Sequence, residues 1–130
     1  MPLTRIMLVD DDNVVNLINR VLLNDFLPSA DILTYNSSVD AIAFLKANST
    51  KPEVLPQLIL LDLNMPEMDG WEFCVAFEKI FQDDSEIIPD IKFLSTSSHP
   101  EDMVKSLRFK SVSEYLIKPL SVEEVERRFK

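Results

Sequence analysis

Glycine, cysteine, histidine and tryptophan each occur once in these 130 residues, as Gly70, Cys74, His99 and Trp71. A lone cysteine excludes an internal disulfide, and Met1-Pro2-Leu3-Thr4-Arg5 leads into an apolar run without resembling a signal peptide. A reducing cytoplasm is therefore the expected compartment. No apolar stretch approaches the roughly 20 residues that a membrane helix requires, so no membrane contact is expected of the chain itself. Basic residues are also scarce, 13 Lys+Arg against 22 Asp+Glu, and a net charge of −9 opposes the phosphate contacts that dominate nucleic-acid affinity. Nucleic acid is not an expected partner. Repeats, low-complexity tracts and interdomain linkers are missing as well, which leaves one domain filling residues 1–130.

What is present is a 46% hydrophobic content, enough for a single core at this length, and a recurrent pattern. Four polar clusters each follow a strand-like run: Asp10-Asp11-Asp12 after Ile6 to Val9, Asp62 after Leu58 to Leu61, Ser95 to Ser98 after Ile91 to Leu94, and Lys118-Pro119 after Tyr115 to Ile117. In an open α/β sheet the carboxyl ends of parallel strands form one edge, and ligands bind there. Several carboxylates, a hydroxyl cluster and a lysine are the parts needed to hold a divalent cation and a phosphoryl group.

Helical patterns alternate with these runs. Val14, Leu17/Ile18, Val21/Leu22 and Phe26 predict an apolar stripe on a helix from Asn13 to about Leu27, with Asp12 more plausible as its cap than as a metal ligand. Ile32 to Tyr35 reads as a strand. Ser37-Ser38 opens a second helix over Val39, Ile42 and Leu45, and residues 48–57 form a loop. Leu58 to Leu63, apolar on both faces apart from Asp62, reads as a central strand. Phe73/Cys74, Phe77 and Ile80/Phe81 mark a third helix, closed by the polar run Gln82 to Asp90. Trp71 is expected to pack at its start and Gly70 to take a turn with φ > 0. Ser98, Pro100 and Glu101 start a fourth helix, with Met103/Val104 and Leu107 inward and His99 a helix-start residue. Ser121 to Glu124 is a capping box for a fifth, with Val122, Val125 and Phe129 on one face. Five β-α units imply a parallel sheet and a three-layer, doubly wound α/β domain.

Ile6-Met7-Leu8-Val9-Asp10-Asp11, Leu60 through Gly70, Thr96, and Tyr115-Leu116-Ile117-Lys118-Pro119 together resemble the receiver domain of bacterial two-component response regulators, over nearly the whole chain. The resemblance implies a flavodoxin-like (βα)5 fold with strand order 2-1-3-4-5. It makes Asp62 the phosphoacceptor, and an ionised carboxylate at a strand end is a competent nucleophile for an acyl phosphate. It implies a Mg²⁺ (or Mn²⁺) site at Asp10, Asp11, Asp62 and the backbone carbonyl of Asn64. Lys118 and Thr96 would meet the phosphoryl group, although Ser95 and Ser97 adjoin Thr96. Tyr115 would be the switch aromatic that follows Thr96. A glycine frequent before the fifth strand is replaced here by Lys110-Ser111.

The implied partners are a sensor histidine kinase or a histidine phosphotransfer protein, and a downstream protein target reached through the fourth helix, fifth strand and fifth helix. A phosphorylation-dependent homodimer stays open. With no output domain expected, the reading is a stand-alone signalling domain rather than an enzyme. Two alternatives are a degenerate receiver used as a docking scaffold and a haloacid-dehalogenase-like phosphohydrolase, which requires an acid where this chain has Asn64.

Overall fold

A computed structural model describes residues 3–82 and 87–129. Among them, five strands and five helices alternate: β1 Arg5–Val9, α1 Asn13–Phe26, β2 Asp31–Tyr35, α2 Ser38–Ala47, β3 Leu58–Leu61, α3 Gly70–Ile80, β4 Asp90–Ser95, α4 Pro100–Ser106, β5 Val112–Ile117 and α5 Val122–Arg128. All strand pairs are parallel and the order is β2-β1-β3-β4-β5. β1 and β3 lie inside the sheet, covered on both faces, which is why Leu58 to Leu61 carry no polar residue. Leu58–Leu61 is shorter than the expected run to Leu63, but the Asp62 amide still donates to Val9 O at 2.9 Å, so the acid remains tied to β1.

Alternate side chains feed two cores. Met7, Val9, Ile59, Leu61, Ile91 and Phe93 pack against α2 and α3, while Ile6, Leu8, Leu58, Leu60 and Leu94 pack toward α1 and α5. Phe73, Cys74 and Phe77 of α3 are fully buried, as their spacing predicts. α3 is also the best-capped helix: Asp69 accepts from Glu72 N while Glu72 accepts from Asp69 N. At α5, Ser121 accepts from Glu124 N, the forward half of the expected box.

Four expectations are corrected. Most of the α1 stripe faces outward: Val14, Leu17, Ile18 and Val21 are 59–63% exposed, while Asn16, Asn19 and Leu23 are buried, and only Leu22 and Phe26 of the stripe pack against the core. In α4, Val104 and the C-cap residue Leu107 are exposed, Met103 is half-buried and Ser106 is buried, its hydroxyl donating to Met103 O. Val39 and Val122 are also more exposed than their stripes suggest. Gly70 does not have positive φ; that conformation falls to Glu67, at φ 66°. Gly70 opens α3, and a Cβ there would lie 2.6 Å from Phe93 Cε1 and 3.0 Å from Asp62 O, so glycine is needed for close approach to the strand that ends in Asp62. At Lys110-Ser111, Glu78 of α3 accepts from both Ser111 N and Oγ, which anchors the turn without a glycine. The Gln82-to-Asp90 connection lies partly outside the described residues.

Candidate functional site

Three strand ends converge on Asp62. Asp10 ends the β1 run, Asp62 follows β3 and Lys118 follows β5, and the sheet order puts β1 and β3 side by side. Asp10 and Asp62 are 6% and 8% exposed, rare values for carboxylates. They are paired: Lys118 Nζ lies 2.6 Å from Asp10 Oδ2 and 3.2 Å from Asp62 Oδ1. The peptide bond from Lys118 to Pro119 is cis, as the resemblance implies.

Burial first, then the neighbouring Asp10 charge, pushes the Asp62 carboxyl up to about 6, with Lys118 and the Leu63 amide pulling the other way. For Lys118, burial works against the charged form, yet the hydrogen bond to Asp10 and the charges of Asp62 and Asp10 outweigh it and raise its pKa. The ammonium is therefore firmly protonated. The acid nest is held together by one cation shared between two acids that repel each other.

Asp11 is solvent-exposed, and one carboxylate oxygen from each of Asp10, Asp11 and Asp62 lies within 4.8 Å of the others. Three hard oxygen donors open to water on one side are suited to Mg²⁺, which keeps several waters and takes few protein carboxylates. Asn64 lies exposed in the loop just beyond, and Asp12 caps α1 by accepting from Val14 N and Val15 N. Thr96 follows β4 at the same edge and is exposed, whereas its neighbour Ser95 is fully buried and accepts from Ser97 N. Ser97 is occupied by Asp102 at 2.6 Å. Of the contiguous hydroxyls, Ser95 and Ser97 are thus engaged inside the loop.

Tyr115 donates from its hydroxyl to Ser97 O at 2.8 Å and packs on Phe93, with ring centroids 5.9 Å apart. Trp71 lies on Phe93 and Phe109 and carries Lys105 Nζ 4.6 Å above its ring, so an aromatic cluster joins α3, β4, β5 and α4. Reading the sequence singles out neither Lys105 nor Asn16, whose Nδ2 donates to Asp10 O at 2.9 Å. The available signal for Asn16 was its spacing from Asn19, one turn apart on the face opposite the apolar stripe. Cys74 is core, its thiol pushed up to about 12 chiefly by burial, and His99 stands at the α4 start without capping through its side chain.

The family model of the response regulator receiver domain matches residues 6–130. The chain belongs to this family. Receiver domains are generally signalling domains, bind Mg²⁺ at an acidic pocket and interact with histidine kinases or phosphotransfer proteins. This receiver is 27% identical over 125 residues to the probable C4-dicarboxylate response regulator DctR of Halalkalibacterium halodurans, covering 96% of the chain and 49% of that protein. It is 31% identical to a protein-glutamate methylesterase/protein-glutamine glutaminase of Cereibacter sphaeroides, covering 98% of the chain and 31% of the relative. The receiver thus spans half or less of these proteins. A two component response regulator from Cytophaga hutchinsonii superposes with a TM-score of 0.85 at 28% identity, covering 98% of this chain and 94% of that one. Vibrio cholerae chemotaxis protein CheY4 shares the fold, with a TM-score of 0.74 at 21% identity, over 95% and 93% of the two chains. Among the described residues no helix is long and apolar enough to cross a membrane.

Proposed function

We propose that Asp62 accepts a phosphoryl group from a sensor histidine kinase or a histidine phosphotransfer protein, and that the domain passes the change to a protein target. The observation that carries this reading is the nest itself: Asp10, Asp11 and Asp62 oxygens within 4.8 Å, with the Lys118 ammonium bonded to two of the three acids. In the step, an Asp62 carboxylate oxygen forms a bond to phosphorus while the bond from phosphorus to the donor's imidazole nitrogen breaks and its electron pair returns to the ring. Lys118 is placed to shift toward the incoming phosphoryl oxygens, and Thr96 to hydrogen-bond one of them. Asp10, Asp11, Asp62 and the Asn64 carbonyl would hold a divalent cation such as Mg²⁺ or Mn²⁺, which would supply neutralising charge for those oxygens.

The outward stripe Val14, Leu17, Ile18 and Val21 starts beside the acid rim and runs at helix-packing spacing. A donor protein must bring its histidine to that rim, and this stripe supports a helical surface on it. The readout is assigned to the opposite side of the site. Drawing Thr96 toward phosphate alters the loop whose Ser97 carbonyl holds Tyr115, and Tyr115 touches the aromatic cluster under α4. Val104, Leu107, Ile117 and Val122 lie exposed on α4, β5 and α5 as the surface for a target, carried on the same polypeptide or a separate one. Self-directed transfer and loss of the phosphoryl group are the only reactions assigned, and the cytoplasm is the assigned compartment.

Mass spectrometry after incubation with acetyl phosphate and Mg²⁺ tests the reading. The wild type is expected to gain one phosphoryl group on Asp62 and Asp62→Asn to gain none. Label retained at another residue in Asp62→Asn, or no label on the wild type, would overturn it.

A further inference from the structure

Because the apolar stripe of α1 points outward, its buried face is partly polar. Asn16 and Asn19, 5% and 6% exposed, lie one turn apart on that face. Asn16 Nδ2 donates to Asp10 O at 2.9 Å and to Tyr35 O at 3.3 Å. Two carbonyls can only accept, so they fix which end of the amide is nitrogen and turn Oδ1 elsewhere. Among the described residues no group donates to that buried oxygen. Native proteins leave very few such acceptors unsatisfied.

Asn16 and Asn19 line a small void of about 10 Å³, bounded also by Asp10 and Asp62 and by leucines of β1, β3 and β4. That is the room of one water molecule, and its polar lining differs from the wholly apolar walls of cavities that stay dry. We propose that this void is a bound-water site, in which one water donates to Asn16 Oδ1 and to one carboxylate of the Asp10–Asp62 pair and accepts from the Asn19 amide. Asn16 and Asn19 are thereby positioning residues for transfer at Asp62.

Three hydrogen bonds are the usual complement of a buried water. The water adds a side-layer donor from α1 to acids that share the Lys118 ammonium and otherwise accept only from backbone amides, Asp10 from Asp12 N at 2.9 Å and Asp62 from Leu63 N at 3.0 Å. When Lys118 turns to a phosphoryl group, that donor stays with its carboxylate and keeps it in place. The effect on transfer rests on Asp62 being the acceptor; the water site does not.

A crystal structure of the protein, at a resolution that shows single waters, is expected to place one within hydrogen-bonding distance of Asn16 Oδ1. A dry void, or a protein donor on that oxygen, would overturn the site. Asn16→Leu would also cut the ties to Asp10 and Tyr35, so Asn19 is the cleaner probe. Asn19→Leu fills the void with apolar atoms and is expected to label about tenfold more slowly at saturating acetyl phosphate and Mg²⁺. Asn19→Ser, which leaves room and a hydroxyl for the water, is expected to recover most of that loss at a similar melting temperature. Equal rates for the Leu variant and the wild type would remove the positioning role. An unlabelled wild type would remove the acceptor reading and the positioning role with it, while the crystallographic density still decides the water.

Discussion

Helices α1 and α3 cover opposite faces of the same sheet and both begin beside the acid nest, yet they are turned in opposite senses. α3 buries Phe73, Cys74 and Phe77 completely and leaves Glu72 and Lys79 to water. α1 leaves Val14, Leu17, Ile18 and Val21 more than half exposed and buries two asparagines. The cause lies beneath each helix. α3 lies over Ile59, Leu61, Ile91 and Phe93, where only apolar atoms wait. α1 rests its last turns on the second core through Leu22, Leu23 and Phe26, but its first turns lie at the ends of β1 and β2, where Asn16 donates to the carbonyls of Asp10 and Tyr35. Carbonyls at buried strand ends must be satisfied, and a helix face that satisfies them can outrank one that merely buries carbon. The stripe thrown outward by that rotation then becomes available to a partner.

The largest expected effect breaks the comparison at the level of stability. Phe77→Ala on α3 should cost about 3–5 kcal/mol, as large cavities in a well-packed core do, whereas Leu17→Ala on α1 should stay within about 0.5 kcal/mol. Urea denaturation of the two variants checks this. A loss at Leu17 comparable with that at Phe77 would mean that α1 packs by its stripe after all.

Next in size is a test of what the exposed stripe is for. Ile18→Glu places a charge in the centre of the apolar row without touching a buried atom. Transfer from a phosphorylated donor protein should slow about tenfold or more, because a charge must then be desolvated at the contact. Labelling by acetyl phosphate, which needs no helix contact, should be unchanged. Parallel losses with both donors would place the effect at the acid nest, and no loss with the protein donor would move its docking surface off α1.

The same contrast explains how much was legible in the sequence. Elements covered by carbon on both sides could be read directly: Leu58 to Leu61 as a buried strand and Phe73/Cys74/Phe77 as a buried stripe follow from pattern alone. Asp10, Asp62 and Lys118 were legible as residues that follow strand-like runs, but their common edge needed the strand order, which periodicity does not encode and the family resemblance supplied. The α1 face was misread because periodicity counts apolar residues and ignores the carbonyls beneath a helix. Gly70 was misread for a related reason. A single glycine after a polar turn suggests backbone freedom, while its use here is to let α3 start against Phe93 and the main chain of Asp62.

The smallest effect concerns Asp62, which stands between the two helices and belongs to neither core. Its carboxyl is pushed up to about 6 from 3.8, first by burial and then by Asp10. A folded pKa above the unfolded one means that the folded state holds the proton more tightly. The stability this group contributes is therefore complete below about pH 4 and is lost as the pH rises through about 6. At neutral pH without a divalent cation the ionised Asp62 is kept at a cost that Lys118 only partly offsets. Asp62→Asn removes the charge and keeps the shape, so it should raise the melting temperature by a few degrees at about pH 7.5 and by little at about pH 4.5. Adding Mg²⁺ at about pH 7.5 should narrow the gap by stabilising the wild type more than the variant. A gain of the same size at both pH values would show that the cost of Asp62 lies in its packing between the strand ends, and that its charge is already balanced by Lys118.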